Sequence, residues 1–527
     1  MVFKHLDELS APPEKLDKDE LKGRVKLPAQ DAQKRPPESR NDDFQEAELP
    51  FTAAQTIAEA KRCLYCQNEP CVNACPLHNA IPQALWYAAQ GEFLAAAEVF
   101  QQTNTLPDIC GRVCPKEALC EGSCTLLRTG TPLRIGKIES FVSNFRHQVE
   151  GYTPRIQPAP DTGKHVAIVG SGPTGLTVAE LLRERGHAVT VYEQWPTPGG
   201  LLLYGIPDFK MDKSLVYNKI EFLRQMGVRF VTGITIGRDA TIRELQSRHD
   251  AIFIGVGTNI DSEPPFGGAD LKGVYRATPF LMRACIQTHS LPPVFAAQGV
   301  PEVGRKVAVI GGGDTAMDCI RTAIRLQQVW DYEVNVTCYY RRTEAQMPGS
   351  TKDRTLAIEE GAKFEFLAAP TRFMGDRYQN LTAMELIRME LGEPDASGRS
   401  RPVVIEESEY VEQVDTAILA IGYWPDPLLG EATPGLQTHD YGLITIDPKT
   451  NATSVPGVFA GGDCVTGSDL VVTAIRSGRN AADHIDRYLK GEEIGQQPEE
   501  KGLPGPAAEP KNQPHPAPHI AQTPGAE

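Results

Sequence analysis

The chain has 527 residues, enough for two to four domains with ample cores. Its formal net charge of −15 argues against a polyanion such as nucleic acid as partner, because phosphate binding needs a surplus of lysine and arginine. No apolar run is long enough to cross a membrane, and the charged start MVFKHLDELSAPPEKLDKDE lacks the apolar stretch of a signal peptide, so a soluble, cytoplasmic protein is expected.

In that compartment the twelve cysteines are not expected to form a disulfide framework. Eight of them crowd between Cys63 and Cys124. Cys285, Cys319, Cys338 and Cys464 are scattered and read as small buried apolar side chains.

In chain order, residues 1–40 are polar and rich in proline and lysine, an arm expected to lie over another part of the molecule. Residues 41–150 carry the eight cysteines among helical patterns such as IPQALWYAAQGEFLAAAEVFQQ. The run CLYCQNEPCVNACP places Cys63, Cys66, Cys71 and Cys75 at intervals of two, four and three residues, with Pro76 following. A second run, CGRVCPKEALCEGSC, adds Cys110, Cys114, Cys120 and Cys124. Structural zinc favours two separated Cys-x2–4-Cys pairs per site. Three closely spaced thiols with a fourth before proline are more like bacterial iron–sulfur runs, in which the last cysteine serves the other cluster. Zinc and inert thiols are the weaker alternatives.

GYTPRIQPAPDTGK, residues 151–164, reads as a linker. The strand–turn–helix pattern KHVAIVGSGPTGLTVAELLRERG follows, with Gly170, Gly172 and Gly175 in the G-x-G-x-x-G spacing. The first glycine suits a tight turn, the second a pyrophosphate at the helix N-terminus, and the third close packing of helix on strand. The next strand, AVTVYE, ends at Glu193, where an acid can bind ribose hydroxyls. The unit recurs at RKVAVIGGGDTAMDCIRTAIRL, with Gly311, Gly313 and Ala316. There the second strand, NVTCYY, is followed by Arg341 and Arg342 instead of an acid, which suits a 2′-phosphate and hence NADPH. The alternative is two solvated surface arginines.

A third glycine element, GVFAGGDCVTGSDLVVTAIRSGRNAADHI, carries Gly462 and Asp463 ahead of a long helix. With PGGLLLYGIP and DTAILAIGYWPD, it makes the chain similar to the flavoprotein oxidoreductases with two dinucleotide-binding domains. The stretches QTNTLPDICGRVCP, LCEGSCTL, GGGDTAMDC, YRRTEAQMPGS and GSDLVVTAI resemble the small (beta) subunits of bacterial NADPH-dependent glutamate synthases over residues 41–490. The amino-terminal half of dihydropyrimidine dehydrogenase is similar but less close.

The resemblance implies an α/β fold with two Rossmann-like domains, the NADPH domain inserted in the FAD domain, behind an α-helical iron–sulfur domain. Its expected divisions are an arm at 1–40, a domain binding two 4Fe–4S clusters at 41–150, FAD-binding parts at 160–300 and 426–490, and an NADPH-binding domain at 301–425. Residues 491–527, without aromatic side chains and rich in proline, are expected to be a disordered tail. The resemblance further implies cofactor contacts at Val113, Pro173, Gly200, Leu201 and Lys210 in the first part. It adds Leu470, Val471 and Thr473 near the late Gly-Asp turn, and Asp314, Thr315 and Gly422 in the NADPH unit. It assigns Cys63, Cys66, Cys71 and Cys124 to one cluster and Cys75, Cys114, Cys120 and Glu139 to the other, leaving Cys110 a bystander. Glu139 taken alone would be an ordinary helix-surface glutamate.

No acid–base dyad is required by hydride transfer between stacked rings, and none is identified. Glutamine-dependent chemistry in this family uses an N-terminal cysteine, whereas position 2 is Val2, and the substrate barrel of about 250 residues finds no span here. The implied role is therefore the reducing subunit, partnered by the large (alpha) subunit of glutamate synthase. A reductase subunit serving another partner, such as a dihydropyrimidine-reducing subunit, and a non-catalytic redox-sensing scaffold are the other two readings.

Overall fold

The apolar runs HVAIV, AVTVYE and AIFI are too continuous for a sheet with one wet face, and they lie buried in the middle of a parallel sheet. A computed structural model describes residues 6, 9–13, 16–154, 157–284, 293–394, 399–439 and 441–494. Cys285 and, of the expected tail 491–527, residues 495–527 lie outside the described residues. In the first sheet the strands run in the order Val458–Ala460, Ala251–Ile254, His165–Val169, Ala188–Glu193, Arg229–Thr232, all parallel. The second sheet repeats the plan with Val274–Arg276, Thr416–Leu419, Val307–Ile310, Val336–Tyr340 and Lys363–Phe366. In both, the first strand of the glycine motif sits where the strand order reverses, so each sheet opens a crevice at that strand's carboxyl end. An antiparallel meander, Ala368–Gly375 to Tyr410–Gln413, is appended to the second unit.

Two short crossings join the units: Ile260–Asp261 pairs antiparallel with Tyr423–Trp424. The chain thus enters the second unit by residue 261, ahead of the boundary expected between 300 and 301. Val274–Arg276 already pairs with Thr416–Leu419, and the helix Ala277–Ala284 packs within the second core. A three-residue edge strand carries too little pattern to be read from sequence, whereas the glycine turn after it is legible.

The cysteine-bearing region is built on the helices Ala53–Ala60, Ile81–Ala89, Phe93–Gln101, Pro107–Val113 and Ile135–Glu150. Thr52 and Gln55 close a capping box on the first of these. Phe93 sits edge-on to Phe141 at 4.9 Å and Phe145 at 5.1 Å. Its core is continuous with that of the first sheet, joining Ile109 and Ile138 to Leu176 and Ile475, and Thr105 meets Thr177 hydroxyl to hydroxyl at 2.8 Å.

The N-terminal segment lies across both regions. Arg24 donates to the carbonyls of Lys61 and Cys63, and Arg40 donates to Glu360 at 2.8 Å. Glu360 also accepts from Arg321 and Arg325, each at 2.9 Å, and the Phe209 ring lies 4.4 and 4.0 Å from those two guanidinium carbons. Burial alone would raise the Glu360 carboxyl, but Arg321 and Arg325 overcome it and hold it at about 2, against the ordinary 4.5. Glu360→Gln should leave three arginines under-compensated and cost on the order of 3–5 kcal/mol. Because the folded value is depressed, Glu360's contribution is complete above pH 4.5 and fades as pH falls toward 2. Denaturant melts of the two proteins should differ most near neutrality and converge in acid. A difference that stays constant down to pH 2.5 would contradict the account.

Candidate functional site

A continuous cleft of about 2260 Å³ opens along the carboxyl ends of both sheets. Pockets for one small ligand hold roughly 300–1,000 Å³, so this one has room for two dinucleotides.

On the first side the three glycines of the turn do three different jobs. Gly170 has φ +98°, and a Cβ there would stand 2.5 Å from the Gly255 carbonyl oxygen. A Cβ on Gly175 would lie 2.1 Å from the Gly170 oxygen, so helix and strand pack closer than any side chain allows. Gly172 caps the helix Pro173–Glu184 with no side-chain hydrogen bond, and a Cβ there would meet nothing within 4 Å. That is an open cradle at a bare helix N-terminus, the arrangement that takes a pyrophosphate. Glu193 is buried at the end of its strand, accepting from the Ser171 amide at 3.1 Å and the Trp195 amide at 2.8 Å, and burial raises its pKa. Gly200, at φ +54°, rests on Gly172, and Leu201 lines the cleft beyond it.

The long helix Val471–Leu489 also begins bare, capped by Leu470 without a side-chain bond, and Leu470 and Val471 line the same cleft. Asp463 stands beside it, its carboxyl pushed up to about 7 by burial and then by Asp469. Gly462 presses on Thr174 and holds the two elements together. The Thr473 hydroxyl turns back to the Leu470 carbonyl at 2.7 Å and is not on the cleft wall.

The second side repeats the pattern. A Cβ on Gly311, at φ +139°, would meet the Ala420 oxygen at 2.2 Å, whereas one on Gly313 would meet nothing. Gly313 caps the helix Asp314–Val329 without a side chain. Ala316 takes the third glycine's place and is fully buried. Asp314 accepts from the Ser350 amide at 2.7 Å, and Thr315 accepts from the Tyr423 hydroxyl at 3.1 Å. Gly422, at φ +112°, lies in the cleft wall. Arg341 is exposed on that wall, while Arg342 is 5% exposed and donates to the Ser400 carbonyl at 2.9 Å. Sequence reasoning missed Arg399, which lines the cleft near them and donates to the Tyr340 hydroxyl at 3.0 Å. Nothing in its local sequence, ASGRS, signals that role.

Besides Thr473, two expected contacts fall elsewhere. Lys210 is not on the cleft wall: its ammonium is committed to Asp318 at 2.9 Å and Asp353 at 3.2 Å, because the loop before it plugs into the second unit. Val113 ends a helix of the cysteine region and packs into its core.

The thiols fall into two sets, and none of the described cysteines is disulfide-bonded. Cys63 has Cys71, Cys66 and Cys124 as electrostatic neighbours, and Cys71 has Cys124 and Cys66. Cys75 has Glu139 and Cys114, and Cys120 has Cys75 and Glu139. Cys110 joins this second set, hydrogen-bonded to Cys114. Burial pushes the Cys71 thiol up to about 12 and the Glu139 carboxyl up to about 8, and Glu139 accepts from the Asn104 amide group at 3.1 Å. Among the described residues no three His, Cys, Asp or Glu side chains close on a single metal ion. A cubane core spreads its ligands over separate irons, so wider sets of soft, buried donors fit it better than they fit zinc.

Comparison with known proteins agrees with both halves. Residues 40–150 match the family described as dihydropyrimidine dehydrogenase domain II, 4Fe-4S cluster, and residues 164–478 match pyridine nucleotide-disulphide oxidoreductase. The chain is 40% identical to the glutamate synthase (NADPH) small chain of Escherichia coli (strain K12), over 88% of this chain and 98% of that one. It is 42% identical to AegA of the same organism, a protein named as an oxidoreductase, over 86% of this chain and 68% of that one. FprA of Mycobacterium tuberculosis, solved in complex with NADPH, shares the fold with a TM-score of 0.54 at 21% identity, covering 63% of this chain and 85% of that one. Among the described residues no helix is long and apolar enough to cross a membrane. The chain belongs to the family of glutamate synthase (NADPH) small chains, NADPH-dependent flavin oxidoreductases with an N-terminal 4Fe–4S domain.

Proposed function

We propose that this chain is the cytoplasmic, NADPH-oxidising electron-transfer subunit of a glutamate synthase, working with a large subunit that makes glutamate from glutamine and 2-oxoglutarate. When bound, NADPH supplies a hydride to FAD, and two 4Fe–4S clusters carry single electrons onward. The chain's own part is placement. The bare helix N-terminus at Val471 offers positive charge where electron density grows, and the glycine turns at Gly172 and Gly313 let two pyrophosphates approach from opposite walls of one cleft. The observation that carries the reading is the fusion of that double-sided cleft to a core shared with eight thiols sorted into two sets.

A second reading has support of its own. The beta subunit of the NADP(+)-dependent formate dehydrogenase of Moorella thermoacetica is 34% identical over 80% of this chain and 60% of its own length, so related chains carry names tied to other partners. Co-purification with the host's large subunit, followed by an NADPH oxidation assay, separates the two. Oxidation stimulated by glutamine together with 2-oxoglutarate is expected. NADPH-to-dye activity that no glutamate synthase large subunit can redirect would favour the second reading, and absence of dye reduction would leave only a non-catalytic scaffold.

A further inference from the structure

Lys116 sits two residues after Cys114 and is 8% exposed. Its carbonyl anchors the loop by accepting from the amides of Leu119, Glu121 and Gly122 at 3.0–3.1 Å. Its stem lies flat on Gly136, where a Cβ would come within 1.9 Å of Lys116 Cε. That glycine is on the helix Ile135–Glu150, which also carries Glu139. The ammonium donates to the Cys110 carbonyl and makes no ion pair within 4 Å among the described residues. Two of its three N–H donors are therefore uncommitted. The groups that act on it electrostatically are Cys114, Glu139, Cys120 and Glu121. A buried ammonium without a carboxylate partner is costly, yet backbone and side-chain packing hold this one in place.

We propose that Lys116 is a positioning charge for the second iron–sulfur set, raising that cluster's reduction potential so that it accepts electrons from the flavin side. The inference rests on the two-cluster reading above. A cubane held by thiolates and a carboxylate carries net negative charge that grows on reduction. A fixed cation in a dry site stabilises the reduced form more than the oxidised one, and net charge and hydrogen bonds are the levers that set such potentials. Glu139 as ligand would pull the potential down, and Lys116 opposes it. Among the described residues nothing comparable stands in the first set, where Arg24 approaches through the carbonyl of Cys63 and is also engaged by Glu20.

The test is a redox titration followed by electron paramagnetic resonance, on the full chain as purified, with iron and flavin counted. Lys116→Met should keep both clusters and the flavin. At a fixed solution potential it should lower the reduced-to-oxidised ratio of one cluster at least tenfold, which is a 59 mV fall for one electron. The other cluster should not move, and Lys116→Arg should restore the wild-type ratio within about threefold. Two intact clusters with unchanged potentials in Lys116→Met overturn the proposal. If Lys116→Met loses iron, Lys116→Arg decides: retention of iron at the wild-type potential supports a charge requirement, and loss of iron in both reduces Lys116 to packing. A wild-type chain with only one cluster overturns the two-cluster reading and this proposal together, an outcome seen before any variant is made.

Discussion

Cys114→Ser is expected to drop the iron content from about eight to about four per chain and abolish delivery of electrons to the large subunit, whereas Cys110→Ser keeps both clusters. The two thiols are four residues apart and hydrogen-bonded to each other, Cys110 buried and Cys114 half-buried. Spacing alone cannot choose between them, and geometry alone places both in the second set. The resemblance chooses Cys114 as the ligand and leaves Cys110 a bystander, and the hydrogen bond from Cys110, with the nearby Lys116 charge, favours a thiolate at Cys114. Thiolate is the form that binds iron. Cys110 is then the donor that fixes the orientation of Cys114, and serine can still donate from that position. Flavin content and NADPH-to-dye activity should survive both substitutions, because the cleft contains neither residue. Equal iron loss from both variants, or loss from Cys110→Ser alone, would show the assignment to be reversed or absent.

What could be read in advance divides along physical lines. The glycine turns were legible because each requirement is local: a positive φ at Gly170, an open cradle at Gly172 and a close approach at Gly175 are all written within six residues. The second turn carried the same information with Ala316 in the third place. The grouping of thiols depended on the resemblance; in the structure Cys63, Cys66, Cys71 and Cys124 neighbour one another, while Cys110, expected to stand aside, lies with Cys75, Cys114, Cys120 and Glu139. Charges that act across the fold were not legible. Lys210 reads as a loop lysine beside a cofactor, but its partners Asp318 and Asp353 lie far along the chain on the second unit. Arg399 reaches the cleft only because the meander folds back beside Tyr340. The crossing at 260–261 is a two-residue strand, below the length at which periodicity can speak.

Arg341→Ala is expected to raise the KM for NADPH roughly 10–100-fold and leave that for NADH almost unchanged, since a hydrogen bond to a charged group contributes about 1.5–3 kcal/mol and each 1.4 kcal/mol is tenfold. Sequence put Arg341 and Arg342 on an equal footing, and the structure separates them. Arg341 is exposed on the cleft wall, one residue past the strand end where the first unit has Glu193, and makes no hydrogen bond or ion pair among the described residues. Its guanidinium is available to a 2′-phosphate. Arg342 is buried and tied to the Ser400 carbonyl, so Arg342→Ala should act first on the hairpin and lower stability before it alters cofactor choice. Because Arg341 faces solvent, its contribution should shrink as salt is added, whereas an effect arising from Arg342 should not. Saturating NADPH should restore kcat in Arg341→Ala, the behaviour of a contact made equally in ground and transition states. A parallel rise in KM for both nucleotides would instead place Arg341 against the diphosphate they share. A wild-type preference for NADH would remove the 2′-phosphate from the account of this wall altogether.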